Sequence, residues 1–239
     1  MGKDVLKGKS AFVSGATGGI GKAIAIALAE RGCNLFLTAS DNDSLSEVKN
    51  SLSSYNVAIS VLSGNLTHKE EVYQIIEAAR ESMGSVDILI NSAGVFPNVN
   101  LFDMDDNVFD ETLDVNFRSA FLFSREFARS MVARKWGRIV NIGSSSAYSG
   151  FRGTSMYCAS KHALLGFSRA IHDELKEHNV RTYYVSPSST QSKMGLATKG
   201  QDYSTFLDPN DVAKYVVFAI SFDGNIVSEE IFLKRMIVR

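Results

Sequence analysis

The sequence has few of the residues that mark secreted or metal-binding proteins. Its 239 residues include only two cysteines, Cys33 and Cys158, which lie far apart and outside any Cys-x-x-Cys or Cys/His pattern. Neither a disulfide framework nor a zinc site is therefore expected, and the four histidines show no metal-ligand spacing either. We expect no metal and a reducing, cytoplasmic location.

The chain also lacks an excess of charge of one sign and a long apolar run. Lys and Arg number 25 against 26 Asp and Glu, which leaves a formal net charge of −1. This balance gives no electrostatic reason to expect nucleic acid or an anionic membrane as a partner. No stretch approaches the roughly eighteen apolar residues of a membrane span, and Met1–Asp4 opens no apolar signal segment. A small molecule is the expected ligand.

Short apolar runs alternate along the chain with longer stretches of helical period. Runs that are apolar on both faces indicate parallel strands covered by helices on both sides, because parallel strands need crossover connections. The length suits one such domain rather than two. The sequence therefore predicts a single doubly wound α/β domain over residues 1–239, with a seven-stranded, mainly parallel sheet. The predicted strands are Ala11–Val13, Leu35–Leu37, Val57–Leu62, Ile88–Ile90, Ile139–Ile142, Thr182–Val185 and Ile231–Leu233.

Local signals mark several helix ends. Thr67-His68-Lys69-Glu70 has the pattern of a capping box, and Asp208-Pro209 places a capping carboxylate before a proline suited to the first helical turn. Gly32 lies between a helical stretch and the second strand, as expected for a glycine in a left-handed C-terminal cap. These signals support the alternation of helices and strands.

A glycine-rich turn joins the first strand to the first helix. It reads Ser14-Gly15-Ala16-Thr17-Gly18-Gly19-Ile20-Gly21. Glycine lets the backbone turn tightly and approach a pyrophosphate, while the free amides of a helix N-terminus favour negative charge. Ala23, after Lys22, lacks the hydroxyl that would hold Mg²⁺ in a P-loop, so a nucleotidase is disfavoured. The turn predicts a dinucleotide as the ligand.

Tyr157 and Lys161 lie four positions apart in Thr154–Glu177, a stretch of helical period, and so project from one helix face. A tyrosine titrates near pH 10, and a neighbouring ammonium favours the phenolate, so Lys161 is expected to lower the pKa of Tyr157. Ser144 follows the fifth strand, at the sheet edge where open α/β folds bind ligands. Its hydroxyl is placed to bind a substrate oxygen.

These residues together resemble the short-chain dehydrogenase/reductase family. The glycine turn, Asn91-Ser92-Ala93-Gly94, Asn116, Ser144 and Tyr157-x-x-x-Lys161 follow the family's order over nearly the whole chain. The length is similar to the non-extended branch, and Ile142-Gly143-Ser144 is similar to 3-oxoacyl-carrier-protein reductases. The resemblance implies a Rossmann-type domain that transfers a hydride between NAD(P)(H) and a carbonyl or alcohol carbon.

The resemblance also implies roles for individual residues. Tyr157 would donate a proton to the carbonyl, Ser144 would orient it, and Asn116 would hold a water in the proton relay. Lys161 would bind the nicotinamide ribose and lower the pKa of Tyr157. The implied cofactor-binding residues are Gly15, Thr17, Gly18, Gly19, Ile20, Gly21, Ser40, Asn65, Leu66, Asn91, Ala93, Gly94, Tyr157, Lys161, Pro187, Ser188 and Ser192.

Some positions depart from the family pattern. Asn65 replaces the usual acidic residue, and its amide oxygen is expected to accept a hydrogen bond from the adenine amino group. Pro187-Ser188 replaces the usual Pro-Gly, and Ser192 stands near the usual threonine. Ala39 ends the second strand where NAD-specific members place an acid, so NADP(H) is expected to be preferred, with NAD(H) as the alternative. Ser40 could bind a 2′-phosphate, which the neighbouring Asp41 would oppose.

Ser188–Leu207 is polar and irregular for twenty residues, and such loops in compact domains are often functional lids. We expect it to close over a partly apolar pocket and to exclude water during hydride transfer. The expected substrate-binding residues are Phe96, Ser144, Tyr148, Phe151, Tyr157, Met194 and Leu196.

Two other functions are open alternatives at this point. One is a 3-oxoacyl-[acyl-carrier-protein] reductase of fatty acid synthesis, for which Arg134, Lys135 and Arg138 would form a basic patch for the acidic carrier protein. Cations near the C-terminal end of a helix also interact favourably with the helix dipole. This interaction would explain the presence of the same residues without a carrier protein. The second alternative is a non-catalytic dinucleotide-binding regulatory protein, which the intact catalytic set disfavours.

The expected partners follow from the same resemblance. The substrate is expected to be a small-molecule carbonyl compound or alcohol. A homo-oligomer is also implied, and because Ile231–Arg239 lacks the family's frequent glycine-rich terminus, a homodimer is expected ahead of a homotetramer.

Overall fold

Seven strands form one sheet in the computed structural model, which describes residues 4–196 and 200–237. The strands are β1 (Ser10–Ser14), β2 (Asn34–Thr38), β3 (Ile59–Val61), β4 (Ile88–Asn91), β5 (Gly137–Ile142), β6 (Val180–Pro187) and β7 (Glu230–Leu233). Their order in the sheet is β3-β2-β1-β4-β5-β6-β7, and every pairing is parallel. The predicted doubly wound α/β domain is confirmed. The domain was predicted to span residues 1–239, and residues 1–3, 197–199 and 238–239 of that span lie outside the described ranges.

Helices connect the strands and cover both faces of the sheet. They are α1 (Gly19–Glu30), α2 (Asn42–Ser51), α3 (Lys69–Met83), α4 (Asp106–Leu113), α5 (Ser119–Arg134), α6 (Ser155–Leu175), α7 (Lys193–Leu196) and α8 (Pro209–Ile220). A π-helical turn over Asp114–Arg118 joins α4 to α5, and short 3-10 turns occupy Leu101–Asp103, Ser145–Ala147, Lys176–His178 and Tyr203–Thr205.

The buried apolar residues form a layer on each side of the sheet. α1, α2 and α8 cover one face, where Ile24, Leu45 and Val216 are fully or almost fully buried. α3, α5 and α6 cover the other face, with Ile75 and Phe123 in its core. This arrangement explains why the central strands read as continuous apolar runs rather than as alternating ones.

The ends of the elements differ from the sequence predictions at a few positions. β3 is shorter than the predicted Val57–Leu62 because it is an edge strand that pairs only with Leu35–Leu37 of β2. The capping box predicted at Thr67 is wrong by one residue. Thr67 instead donates its hydroxyl to Asn65, and His68 becomes the N-cap of α3.

Two other predicted helix ends are confirmed. The Asp208 carboxylate accepts a hydrogen bond of 2.8 Å from the Asn210 amide, and Pro209 occupies the first turn of α8. Gly32 follows α1 with a φ of +74°, in the left-handed region that glycine tolerates best.

The strand order reverses beside β1, and this reversal positions the site. The chain moves from β1 outward to β2 and β3, and then returns to place β4 on the other side of β1. The loops that follow β1 and β4 therefore meet at the carboxyl edge of the sheet, where open α/β folds bind ligands. They touch so closely that a Cβ atom on Gly15, which has a φ of +67°, would lie 2.6 Å from the Ala93 nitrogen.

Candidate active site

A cleft of about 890 Å³ opens at this edge of the sheet, a volume in the range of small-molecule sites. Most of the predicted site residues line it: Gly15, Thr17, Gly18, Gly19, Ile20, Ser40, Asn65, Leu66, Ala93, Gly94, Phe96, Ser144, Phe151, Tyr157, Lys161, Pro187, Ser188, Ser192 and Met194. Five predicted residues are not in its lining: Gly21, Asn91, Asn116, Tyr148 and Leu196.

The first turn of α1 is built to receive an anion. α2, α4 and α8 are each capped by an aspartate, whereas no side chain caps α1 and no acidic residue lies in its first turn. The unpaired amides of a helix N-terminus and the helix dipole favour a phosphate at such a position. Gly21 lies behind this turn, where a Cβ atom would lie 2.2 Å from the Gly15 carbonyl oxygen. The glycine turn therefore fits the pyrophosphate of a dinucleotide.

The end of the cleft near β2 differs from the expectation for Asn65. The Asn65 Oδ1 atom already accepts hydrogen bonds from the Thr67 amide (3.0 Å) and the Thr67 hydroxyl (2.9 Å). A carbonyl oxygen has two lone pairs, so this atom is already engaged and does not await an adenine amino group. Asn65 thus shapes the loop after β3 in this structure.

Two charged residues lie near the same end. Asp41 caps α2, and its carboxylate accepts a 2.8 Å hydrogen bond from the Ser44 amide. The hydrogen bonds from Ser44, and more weakly the Lys193 ammonium, hold the pKa of Asp41 below its ordinary value. Lys193 also lines the cleft, as does Ser40. The negative charge of Asp41 is therefore committed to the helix and partly balanced.

Tyr157, Lys161 and Ser144 meet on one wall of the cleft. Tyr157 and Lys161 both lie on α6, and the Lys161 Nζ atom is 5.7 Å from the centroid of the Tyr157 ring. Lys161 Nζ donates a hydrogen bond of 3.0 Å to the Ile142 carbonyl, two residues before Ser144. Ser144 caps the 3-10 turn, accepting a 3.1 Å hydrogen bond from the Ser146 amide. The end of β5 and α6 thus bring the three side chains together.

Burial controls the proton affinities of these groups. It lowers the pKa of Lys161 to about 8, and none of the ion pairs among the described residues includes this lysine. Burial also raises the pKa of Tyr157, and the Ser144 hydroxyl acts in the opposite direction by favouring the phenolate. The lowered Tyr157 pKa expected from helical spacing is therefore not found in the protein alone, because desolvation dominates.

Asn116 lies behind the cleft, in the π-helical turn. Its Oδ1 accepts a 2.7 Å hydrogen bond from the Val95 amide, and its Nδ2 donates to the Val95 carbonyl and the Ser160 hydroxyl, both at 3.0 Å. The side chain therefore fastens the loop after β4 to α6. Both Nδ2 donors are therefore used, whereas one lone pair of Oδ1 remains for the water that the resemblance implies.

A second buried amide supports the same wall. Asn91 Nδ2 donates to Asn141 Oδ1 at 2.8 Å and to the Ser124 hydroxyl at 3.3 Å, and Asn141 in turn donates to the Ser168 hydroxyl. These contacts link β4 and β5 to α5 and α6 beneath the cleft. Asn91 is thus placed to support the site from below.

The apolar residues predicted to bind substrate divide into two groups. Phe96 meets the Tyr157 ring edge-on with centroids 4.7 Å apart, and Phe151 and Met194 also line the cleft. Tyr148 turns away, donating a 2.6 Å hydrogen bond to Glu230. Leu196 is 66% exposed and is not part of the lining. The structure therefore keeps three of these five residues at the cleft.

The segment predicted as a lid is tied at its base. Thr190 forms a parallel bridge with Leu207, whose amide donates a 3.0 Å hydrogen bond to the Ser189 carbonyl. Between these ends the segment contains α7 and a 3-10 turn, so it is less irregular than its sequence suggests. Residues 197–199 of the predicted lid lie outside the described ranges.

Several cleft residues were missed at the level of sequence. Asn98, Glu111, Arg152, Lys193, Gln201 and Arg235 line it as well. Arg152 and Lys193 adjoin predicted residues and could have been found by extending those motifs. Arg235 follows β7, and only the placement of β7 beside β6 brings it to the site.

The fold agrees with comparisons to known proteins. A family model described as short chain dehydrogenase matches residues 9–202. The chain therefore belongs to the short-chain dehydrogenase/reductase family, a family of oxidoreductases. The predicted family resemblance is confirmed.

Two relatives illustrate the range within that family. The uncharacterized oxidoreductase YgcW of Escherichia coli K12 is 36% identical over 194 residues, covering 81% of this chain and 74% of that protein. The 3-oxoacyl-[acyl-carrier-protein] reductase FabG of Vibrio cholerae is 30% identical, covering 94% of this chain and 95% of that protein. Among solved structures, a metagenomic short-chain oxidoreductase in complex with NADP has a TM-score of 0.85 at 27% identity, covering 97% of this chain and 99% of its own.

Other chemical features of the described residues are simple. Cys33 and Cys158 are both free and buried, as the absence of a cysteine pattern predicted. Within residues 4–196 and 200–237, no group of three or more His, Cys, Asp or Glu side chains is arranged to hold a metal ion. No helix in the same ranges is long and apolar enough to cross a membrane.

Proposed function

We propose that this protein is an NADP(H)-dependent oxidoreductase that reduces a small-molecule carbonyl to an alcohol, with Tyr157 as the proton donor. The observation that carries the proposal is the meeting of Tyr157, Ser144 and the buried Lys161 ammonium on the wall of a cleft that begins at an uncapped helix. The glycine turn and Lys161 would hold NADPH, which would supply the hydride for the carbonyl carbon. The side chains of the cleft bind the carbonyl oxygen and move its proton.

Tyr157 and Ser144 act at the carbonyl oxygen in this proposal. The raised pKa of Tyr157 keeps the phenol protonated at neutral pH, so that it can bind the oxygen and give up its proton as negative charge develops. The Ser144 hydroxyl favours the phenolate that remains. Ser144 therefore assists proton transfer as well as holding the substrate oxygen.

Lys161 provides the positive charge that this transfer needs. Its Nζ donates one hydrogen bond to the Ile142 carbonyl. An ammonium has three N–H donors, so two remain for the hydroxyls of a bound ribose. In a site closed to water, a cation this close to the Tyr157 ring stabilises the phenolate more strongly than it would in solvent. The lysine thereby lowers the barrier for proton release once the cleft is filled.

Three features support NADP(H) over NAD(H). Ala39 places no carboxylate at the end of β2, where one would repel a 2′-phosphate. Asp41 is engaged as the cap of α2, and Lys193 brings a positive charge toward it. The solved short-chain oxidoreductase in complex with NADP shows that a chain of this fold binds the phosphorylated cofactor. NAD(H) is the weaker ligand in this proposal.

The reduction of acyl-carrier-protein thioesters is a less favoured alternative. It rests on the 30% identity to the Vibrio cholerae reductase. The basic patch expected to bind the carrier protein is not present as predicted, because Arg138 is fully buried and bonded to Asp223. Arg134 donates to the Val86 carbonyl and pairs with Asp87. Only Lys135 is left exposed and outside any ion pair among the described residues.

A homodimer is the proposed assembly, ahead of a homotetramer. α5 and α6 present a groove with apolar walls that include Phe121, Phe167 and Ile171. Burial of such a face against a second copy would remove apolar surface from water. Light scattering on the purified chain distinguishes monomer, dimer and tetramer directly.

The proposed activity is tested by a screen of carbonyl compounds. Ketones, aldehydes and 3-oxoacyl thioesters are each mixed with the protein and NADPH, and the loss of reduced nicotinamide is followed by absorbance. We expect oxidation of NADPH that depends on the carbonyl compound and is absent with Lys161→Met. Binding of NADPH without turnover of any compound would favour the regulatory alternative.

A further inference from the structure

Arg235 brings a guanidinium into the cleft from beyond the end of β7. Its Nη1 donates a 3.1 Å hydrogen bond to the Thr205 hydroxyl, and its Nη2 donates one of 2.6 Å to Gln201 Oε1. The group also stacks on the Phe206 ring, 4.9 Å from the centroid. Two neutral partners and an aromatic ring therefore hold this cation in place.

Among the described residues, no carboxylate forms an ion pair with this guanidinium. None of the ion pairs formed within residues 4–196 and 200–237 includes Arg235. Its Nε atom is buried and has no hydrogen-bond partner. A guanidinium presents its donors in a fixed planar fork, and here at least the Nε donor of that fork is unused. The cation is positioned but not satisfied.

A second polar group nearby is also unsatisfied. The Ser188 amide donates a 2.8 Å hydrogen bond to the Leu233 carbonyl, which places Ser188 beside the strand end that leads to Arg235. The Ser188 hydroxyl is buried and has no partner. Buried polar groups are nearly always paired in folded proteins. Two buried polar groups at this end of the cleft therefore lack a hydrogen-bond partner among the described residues.

The charged side chains that line the cleft favour a negatively charged ligand. Among the described residues, the cleft is lined by Lys161, Arg152, Lys193 and Arg235 but by a single carboxylate, Glu111. Lys161 is adjacent to Tyr157, and Lys193 lies toward Asp41. The two hydrogen bonds and the ring contact of Arg235 described above are all with the 188–207 segment, the part of the protein expected to close over substrate.

We propose that Arg235 binds a carboxylate of the substrate, so that the natural substrate is an oxo acid or the corresponding hydroxy acid. The carboxylate would accept hydrogen bonds from the Nη1 and Nη2 donors that Thr205 and Gln201 leave free. This inference rests on the proposed carbonyl reduction and adds the chemical class of the substrate. Arg235 is a binding residue that determines specificity, and it takes no part in proton transfer.

The test compares acids with their neutral esters. Acetoacetate, 2-oxobutanoate and 4-oxopentanoate vary the distance between carbonyl and carboxylate, and each is assayed beside its methyl ester with NADPH. We expect at least one acid to have a kcat/KM about tenfold or more above that of its ester. Arg235→Gln should remove that advantage, so that acid and ester are used with similar kcat/KM, whereas Arg235→Lys should keep part of it. Lys234→Gln, which changes the neighbouring exposed residue, should alter neither.

A binding measurement separates this inference from the proposed reaction. Each acid is titrated calorimetrically into the protein loaded with NADP⁺, which cannot reduce it, and into the Arg235→Gln variant loaded in the same way. Binding of an acid that is lost in the variant supports the inference even if turnover fails, in which case only the proposed reaction falls. Failure of every acid to bind, or equal use of acids and esters, overturns the inference. A variant that binds NADPH more weakly would assign Arg235 to the cofactor and overturn it equally.

Discussion

The hydroxyl of Tyr184 donates a 3.2 Å hydrogen bond to the backbone carbonyl of Lys161. The same hydroxyl accepts a 3.3 Å hydrogen bond from the Ser144 amide. Tyr184 lies on β6, so one buried group fastens the loop after β5 to the helix that carries Lys161. Gly143 leaves the room for it, since a Cβ atom there would lie 1.9 Å from Tyr184 Cζ. Tyr184 is therefore a positioning residue for both catalytic candidates.

Tyr184→Phe should loosen this arrangement without removing the ring. The substitution leaves the Ser144 amide buried without this acceptor, so we expect a loss of about 1–3 kcal/mol in the free energy of unfolding. The kcat should fall while the dissociation constant for NADPH changes little. Urea unfolding and steady-state kinetics measure the two effects.

Tyr183→Phe is the matched control for that substitution. Tyr183 is the neighbouring residue on β6, and its buried hydroxyl lies near the Arg181 side chain without a hydrogen bond of good geometry. Its loss should leave stability unchanged or slightly increased. Equal losses of stability in the two variants would show that the Tyr184 hydrogen bonds have no special part in the site.

Lys161 should destabilise the protein in the absence of cofactor. Its pKa falls from 10.5 to about 8 on folding, so below about pH 8 the folded state carries a buried ammonium at a penalty that the unfolded state avoids. This penalty, up to about 3 kcal/mol, declines as pH rises from about 8 to 10.5, because the folded state releases its proton first. The wild-type protein should gain stability over this pH window.

Lys161→Met tests the sign of that effect. The variant should have no turnover, yet it should be more stable than the parent at pH 7, with the difference shrinking toward pH 10.5. Urea unfolding at a series of pH values gives the comparison, with Lys49→Met on the exposed face of α2 as control. A variant that is less stable than the parent at every pH would show that the lysine is not penalised by burial.

Lys193 should contribute to the choice between the two cofactors. Lys193→Gln removes a positive charge near Ser40 and Asp41, so NADPH binding should weaken several-fold while NADH binding stays nearly constant. Fluorescence titration gives both dissociation constants. Lys22→Gln, on the exposed side of α1, serves as the control. Tighter binding of NADH than NADPH by the parent would contradict the proposed preference.

The 188–207 segment should become protected when the cleft is filled. Ordering of a loop suppresses its local opening, so hydrogen exchange across the segment should slow with cofactor and a substrate analogue present together. The bridge between Thr190 and Leu207 should be protected already in the protein alone. Unchanged exchange between these ends in the ternary complex would show that the segment is no lid.

The fold was predictable because its signals are local and redundant. The central strands are apolar on both faces, and this pattern indicates parallel strands without any knowledge of the partner strands. The glycine turn carries the same kind of information, since the φ of +67° at Gly15 and the close approach of Gly21 to the Gly15 carbonyl oxygen both arise within the turn itself. Spacing also brought Tyr157 and Lys161 together, because four residues span about one turn of helix.

The predictions were wrong where burial or contacts distant in sequence determine the pKa or the position of a side chain. Spacing alone did not reveal that α6 buries both Tyr157 and Lys161, so the direction of the Tyr157 pKa shift was missed. Arg138 was interpreted as a surface cation, yet it lies at 0% exposure against a distant aspartate, Asp223. Tyr148 was placed near substrate because it follows Ser144, but Glu230 of β7 draws it away. None of these partners is near in sequence.

The proposed proton transfer depends on the hydroxyl of Tyr157, and the decisive measurement is the turnover of Tyr157→Phe together with its affinity for NADPH. Loss of the hydroxyl removes the transferable proton but keeps the ring that packs edge-on against Phe96. General acid catalysis typically contributes about 10²–10⁴-fold, so kcat on a carbonyl substrate should fall by at least that much. The dissociation constant for NADPH should remain within about twofold of the parent value. Near-normal turnover by the variant would contradict the assignment of Tyr157 as the proton donor.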